Sequence, residues 1–157
     1  MGKESGMSES ARKAGLIEVG PMDARLKESR VARLATRDAQ GRPYVVPVCY
    51  AYDGKVFYTP LDRKPKKKTG GELARVRNIR ANPEVMLLVD HYEEDWAELW
   101  YILVRGRGEI LSGGEARKKA VGLLRKKYPQ YASRELLPED ATVIRITPEK
   151  VVAWGGG

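Results

Sequence analysis

Residues 43–59 read PYVVPVCYAYDGKVFYT, and the reading of this stretch decides the fold class. Tyr44, Val45, Val46, Val48, Tyr50 and Tyr52, then Val56, Phe57 and Tyr58, give it the β-branched and aromatic content of strands on a half-buried pleated surface. Asp53-Gly54 interrupts the run, and such a pair between two β segments is a strong signal for a tight hairpin turn. Pro47 cannot donate to a strand ladder, so its strand belongs at a sheet edge or a bulge. A hairpin follows, with a long strand over Pro43–Tyr52 pairing back against Lys55–Thr59.

The same signals extend outward. Towards the N-terminus, Asp38-Ala39-Gln40-Gly41 is a turn that joins the hairpin to a short strand over Val31–Thr36. Before it, Met22–Glu28 can form a short helix with Ala24 and Leu26 as apolar positions. Residues 1–20 lack periodicity and read as a flexible leader, leaving 21–157 as one domain. Towards the C-terminus, a helix runs from Glu72 to Ala81 and stops before Asn82-Pro83. Its Leu73, Val76 and Ile79 fall on one face, turned toward the sheet. Glu84–Asp90 and Trp100–Leu111 read as strands around a polar, aromatic excursion. A second helix reaches Tyr128, with Ala116, Ala120, Leu123 and Leu124 at helical spacing. Two closing strands, Thr142–Thr147 and Val151–Trp154, flank Pro148-Glu149. Thr69-Gly70-Gly71-Glu72 and Ser112-Gly113-Gly114-Glu115 both have the form of a capping box at a helix start. The strands come as hairpins and do not alternate with helices. That favours a mainly β (α+β) fold, an antiparallel barrel with two or three peripheral helices, over a parallel sheet.

Composition narrows the chemistry. One cysteine, Cys49, excludes an internal disulfide, and one histidine, His91, excludes clustered Cys/His metal sites. No apolar run approaches a membrane span and no signal-peptide core is visible, so a cytoplasmic protein without membrane partners is expected. Lys and Arg number 29 against 21 Asp and Glu, a net charge of +8. Such a bias attracts nucleic acid, an anionic surface or a phosphorylated ligand.

The charge is concentrated in Arg63-Lys64-Pro65-Lys66-Lys67-Lys68, directly before a helix start, with Arg75, Arg77 and Arg80 following on the helix. Free backbone N–H groups and the helix dipole favour an anion there, and Lys and Arg add charge-assisted hydrogen bonds. Arg75 lies on the flank of the apolar stripe, whereas Arg77 and Arg80 are expected in solvent. Of the aromatic residues, Trp96, Trp100, Tyr92 and Tyr101 suit either a wall against a planar ring or an interface between subunits. His91 reads as a structural hydrogen-bonding residue, Cys49 as a small apolar strand residue. No Ser/His/Asp set, dinucleotide fingerprint or P-loop is present.

Taken in order, Leu34-Ala35-Thr36, Gly41-Arg42-Pro43, Val46-Pro47-Val48, Tyr58-Thr59-Pro60-Leu61-Asp62-Arg63-Lys64-Pro65, Leu73 through Pro83 and Gly106-Arg107-Gly108 resemble the pyridoxamine 5'-phosphate oxidase superfamily. The likeness runs from about residue 30 to 154 and is similar most of all to its F420-dependent oxidoreductase subfamily. It implies a split β-barrel acting as a homodimer. It implies a phosphate-bearing cofactor, the deazaflavin F420 or alternatively FMN, and a small-molecule substrate. Arg75, eight positions before Pro83, matches the basic residue that contacts the cofactor phosphate, often a lysine in the family. Tyr58 and Thr59 match the end of the hairpin strand, where the Thr59 hydroxyl reaches the phosphate. Pro47, Val48 and Cys49 line the ring system through backbone groups. Beside these, Trp100 remains a candidate wall against the ring or interface residue, and the likeness would have Trp154 reach toward the partner subunit's site, a terminal core anchor being the alternative. Lys64 and Lys68 suit the anionic polyglutamate tail of F420. The residues that bind the oxidase's phosphorylated vitamin have no counterparts here, and no acid or base is assigned.

Three functions compete at this point: an oxidoreductase passing hydride to an unsaturated or conjugated small molecule, a flavin-binding redox sensor with little turnover, and a barrel binding single-stranded nucleic acid. The third is disfavoured, because the basic residues cluster at one helix start and do not interleave with aromatics.

Overall fold

The computed structural model describes residues 3–4, 22–61 and 72–156. Its strands are β1 (Lys3–Glu4), β2 (Ala32–Arg37), β3 (Pro43–Val48), β4 (Ala51–Tyr52), β5 (Phe57–Pro60), β6 (Glu84–His91), β7 (Trp100–Leu111) and β8 (Val143–Gly155). Its helices are α1 (Asp23–Glu28), α2 (Ala74–Ala81) and α3 (Gly114–Lys127). All strand pairings are antiparallel, in the order β3-β2-β6-β7-β8-β5-β4, with β1 added on β8. The result is a mainly β, α+β fold, a curled split barrel with three helices outside it. Pro47 lies on β3, at the end of the strand order, so its missing N–H breaks no ladder.

Alternation sorts the side chains onto two faces. Leu34, Val48, Phe57, Val85, Leu87, Ile102, Val104, Ile144 and Ile146 turn inward and form the main core, with Val76 and Ile79 of α2 packed into it. A second core lies outside the sheet, where Ala120, Val121 and Leu124 of α3 cover Ala51, Tyr58 and Val143. Burial of apolar surface at roughly 25 cal/mol per Å² is what holds both helices on the barrel.

Several boundaries differ from the sequence reading. The strand from Pro43 does not continue to Tyr52 but stops at Val48, and Tyr50 turns inward to donate its hydroxyl to the Leu26 carbonyl. Leu26 is buried, while Ala24 is exposed. The two closing strands are one, β8, with an irregularity opposite Arg105 and Gly106. A Cβ at Gly106 would lie 2.6 Å from the Thr147 carbonyl oxygen; this close approach lets the strand run through Pro148 with Glu149 bulged. Neither capping form works as expected. The α2 helix starts from Leu73 and α3 from Gly113, both without a side-chain cap, and the Glu72 carboxylate pairs with Arg80 instead, at 3.0 Å. Thr69, Gly70 and Gly71 lie outside the described residues. The expected leader also lies outside them, except for Lys3–Glu4, paired to Val152 and Ala153 of β8.

Candidate functional site

The eight-residue α2 is too short to hold itself in water, so its position is set by what it touches. On one side the Asn78 amide donates to the Thr36 hydroxyl at 3.0 Å, a buried bond to β2. On the other, Ile79 sits against Gly108 of β7, where a Cβ would approach its side chain to 3.2 Å, and the Gly108 N–H donates to the Pro83 carbonyl at 2.8 Å. Arg75, one residue before the buried Val76, is thereby held half-buried against the barrel. Arg77 points the other way and donates to the Glu72 carbonyl. Arg77 and Arg80 are both exposed, as expected, and each makes a surface contact with Glu72.

Thr59 lies on β5 and alternates inward with Phe57, and it is 1% exposed. Its Oγ1 is buried and has no hydrogen-bond partner. A buried hydroxyl left without a partner costs about 1–3 kcal/mol, so such atoms ordinarily have one. Tyr58 alternates outward into the core beneath α3, on the opposite face from Thr59. Burial raises its phenol pKa. The structure therefore does not bring Tyr58 and Thr59 to one surface. Leu61 and Leu73, on either side of the basic segment, both pack on the main core. Lys64 and Lys68 lie outside the described residues.

The proposed ring-lining stretch divides in the same way. Pro47 is exposed, Val48 is buried in the main core, and Cys49 is half-buried at the break between β3 and β4. There Cys49 packs on the second core and lines a pocket of about 490 Å³ with Val31 and Tyr128.

Trp154 is on neither the Thr59 nor the Cys49 surface, whereas Trp100, at the start of β7, packs against the main core. Both line a groove of about 510 Å³ along β6, β7 and β8, with Leu88, Tyr101 and Leu103, and Trp100 reaches it from the core side. Trp154 lies 5.8 Å from Tyr101, ring to ring and nearly parallel. Trp100 is sandwiched between the His91 ring at 5.7 Å and the Arg25 guanidinium at 5.0 Å. His91 also meets the Glu93 carboxylate at 2.8 Å. Trp96 and Tyr92 stand beside them largely in solvent, at 71% and 63% exposure. Ion pairs Arg33–Asp90 and Arg37–Glu84 rim this face.

Sequence reasoning missed the hub formed by Tyr128. Its hydroxyl donates to the Arg30 carbonyl at 2.7 Å and accepts from the Tyr50 N–H at 3.1 Å. The nearest signal was an aromatic residue directly before Pro129 at a helix end, which marks a stop but names no partner. Among the described residues no group of three or more His, Cys, Asp or Glu could hold a metal ion, and no helix is long and apolar enough to cross a membrane.

Comparison with known proteins agrees with this architecture. The sequence profile described as pyridoxamine 5'-phosphate oxidase matches residues 21–155. Among solved structures, a FAD-binding protein of Mesorhizobium loti is 29% identical over 83% of this chain and 89% of its own, with a TM-score of 0.61. An F420 reductase is 24% identical over 82% of this chain and 94% of its own, at 0.59. The heme storage protein of Vibrio cholerae shares the fold at 16% identity, over 90% of this chain and 96% of its own, at 0.67. No curated protein matches the chain.

Proposed function

Because the chain belongs to the pyridoxamine 5'-phosphate oxidase family, whose fold it shares with FAD-binding and F420-reductase structures, we propose that it is a cytoplasmic oxidoreductase that holds a phosphate-bearing flavin-type cofactor, deazaflavin F420 in preference to FMN. The observation that carries this reading is the Thr59 hydroxyl, buried on the inner face of the barrel with its hydrogen bond unmade. A phosphate oxygen is the acceptor such a group fits, and Arg75 on the anchored α2 is the cation to accompany it. Lys64 and Lys68 then serve the anionic tail that F420 has and FMN lacks. Pro47, Val48 and Cys49 offer backbone groups to the ring. When bound, the reduced cofactor supplies hydride to an unsaturated or conjugated small molecule, and solvent supplies the proton. The chain's own part is to bind, orient and exclude water.

The apolar outer face around Trp154, Tyr101, Leu88 and Leu103, with Trp100 at its margin, is proposed as the contact with a second copy. Half-buried apolar side chains bordered by ion pairs have the composition of such a contact, and a two-fold pair is the commonest way to cover one. A monomer in light scattering at micromolar concentration would remove this part.

Titration of F420 and FMN into the protein and three variants tests the cofactor reading. Arg75→Ala should weaken binding about tenfold to a hundredfold, the worth of one charged hydrogen bond of roughly 1.5–3 kcal/mol. Arg75→Lys should restore part of this, since only the guanidinium fork is lost. Arg77→Ala should bind as the parent does. Equal affinity for Arg75→Ala and the parent would take Arg75 out of the site.

A further inference from the structure

The pocket of about 490 Å³ beside Cys49 lies where the end of α3, the start of β2 and the β3–β4 break meet. Val31, Pro129 and Leu136 give it apolar walls, Tyr128 and Tyr131 give it aromatic ones, and Arg30 is its charged member. The lining contains no carboxylate. A second cation stands behind the wall. The Lys127 Nζ is buried 3.9 Å from the centre of the Tyr50 ring and 5.4 Å from that of Tyr128, and it has no hydrogen-bond acceptor. Arg30 also lies over the Tyr128 ring, at 5.4 Å. Among the described residues neither cation forms an ion pair.

Two other concave surfaces of similar size each have an acid in their lining. Beside α2, Arg42 is paired with Asp38 at 2.7 Å in a pocket that both line. The outer groove contains Asp90, paired with Arg33 at 2.8 Å. The pocket beside Tyr128 instead has Arg30 in its lining, the Lys127 ammonium 5.4 Å from the ring of its Tyr128 wall, and no acid among its lining residues. Aromatic and apolar walls favour a flat hydrocarbon body, and an exposed guanidinium at the rim with a buried ammonium behind the wall favours a negative charge upon it.

We propose that this pocket binds a planar organic anion, an aromatic or conjugated carboxylate, with its charge directed to Arg30 and Lys127. On the cofactor reading above, on which this second step rests, the anion is the molecule that is reduced. Cys49 belongs both to the proposed ring-lining stretch and to the pocket wall, so the two ligands would meet there. The conjugated double bond would gain the hydride and one solvent proton, and the carboxylate would leave unchanged.

The probes are 2-naphthoate and its neutral counterpart 2-naphthamide, titrated by calorimetry into the full-length protein with and without saturating F420. The acid should bind about tenfold more tightly than the amide, the worth of one charge-assisted contact in a desolvated site. Arg30→Gln and Lys127→Met should each reduce that preference while circular dichroism stays unchanged. The Lys127 ammonium is pushed down to about 8 by burial and by Arg30. Acid binding should therefore weaken as pH rises through 8 and beyond, and amide binding should not. Arg30, Cys49, Tyr50 and Tyr128 also face Lys127. The pH dependence must therefore disappear in Lys127→Met to count in support. Equal affinity of acid and amide, or a preference that survives both variants, overturns the anion site. Naphthoate that binds the F420-loaded protein but leaves the cofactor's fluorescence unaltered overturns its assignment as the molecule reduced. The two readings fail separately, because Arg75→Ala tests the cofactor and leaves this pocket intact.

Discussion

The two longer helices have nearly the same sequence start, Thr-Gly-Gly-Glu before α2 and Ser-Gly-Gly-Glu running into α3, and the fold uses them in opposite ways. The eight-residue α2 packs Val76 and Ile79 into the main core and adds contacts of high specificity, one buried Asn78–Thr36 hydrogen bond and a glycine floor under Ile79. The fourteen-residue α3 is fixed by a stripe, Ala120, Val121 and Leu124, pressed into its own core outside the barrel. Polar anchoring sets position and orientation, whereas apolar anchoring supplies stability with less directional constraint. Each mode sits beside the proposed ligand it suits. Arg75 must meet a phosphate at a defined geometry, while the end of α3 walls a slot for a flat apolar body.

The largest expected effect tests the apolar side of this contrast. Leu124 is fully buried, and Leu124→Ala should destabilise the protein by about 2–5 kcal/mol in urea unfolding, through lost burial and a residual cavity. Asn78→Ala should cost less, about 1–3 kcal/mol, because it leaves the buried Thr36 hydroxyl without its donor. It should nevertheless weaken cofactor binding, which Leu124→Ala should not do at a temperature where both variants are folded. If Leu124→Ala weakened cofactor binding as much as Asn78→Ala, the division of labour between the helices would be gone.

Strand periodicity was legible because it is local. The hairpin around Asp53-Gly54, the edge position of Pro47 and the 100–111 strand follow from alternation within a few residues. Errors arose where a distant segment decides the local outcome. Pro148-Glu149 has the chemistry of a turn, yet β8 continues through it because β7 presents Gly106 opposite. The capping forms failed because Ser or Thr must occupy the N-cap position itself, and the helices begin at Leu73 and Gly113. For the site, sequence reached Thr59 through its strand and Arg75 through its helix, but not the unmade hydrogen bond of the Thr59 hydroxyl. Lys127 had no local signal at all: its surroundings are Tyr50 and Arg30, far away in sequence.

Lys127 sharpens the contrast on the α3 side. Its folded-state pKa is lowered to about 8 from 10.5, first by burial and then by Arg30. Between those values the unfolded chain holds a proton that the folded chain has released, so stability rises with pH from about 8 toward 10. Above about 10 the buried tyrosines oppose this, since burial raises Tyr50 and Tyr128 in the folded state while the unfolded phenols ionise. Partial exposure reduces the effect to the order of 1 kcal/mol. Urea midpoints should therefore increase between pH 7.5 and 9.5 in the parent and stay flat in Lys127→Met. A parent midpoint that falls over this interval would mean that the ammonium is stabilised where it lies.

The smallest change is the most diagnostic for the α2 side. Thr59→Val keeps the shape of the side chain and replaces its hydroxyl with a methyl group. In the protein without ligand that hydroxyl is buried and makes no hydrogen bond. Its removal takes away a desolvated polar atom and breaks no bond, so stability should be unchanged or rise by up to about 1 kcal/mol. Ligand binding should respond with the opposite sign, because a phosphate loses a donor on Thr59→Val. Affinity for F420 and FMN should fall about threefold to tenfold, the worth of roughly 0.5–1.5 kcal/mol for one hydrogen bond. A purely structural threonine would move both quantities in the same direction, with lower stability and secondarily lower affinity. Unfolding free energy measured without cofactor and cofactor affinity measured at saturation-free concentrations therefore separate the two roles. A stability loss beyond about 1 kcal/mol in Thr59→Val would show that its hydroxyl already serves the fold, and would take from the phosphate site the observation it stands on.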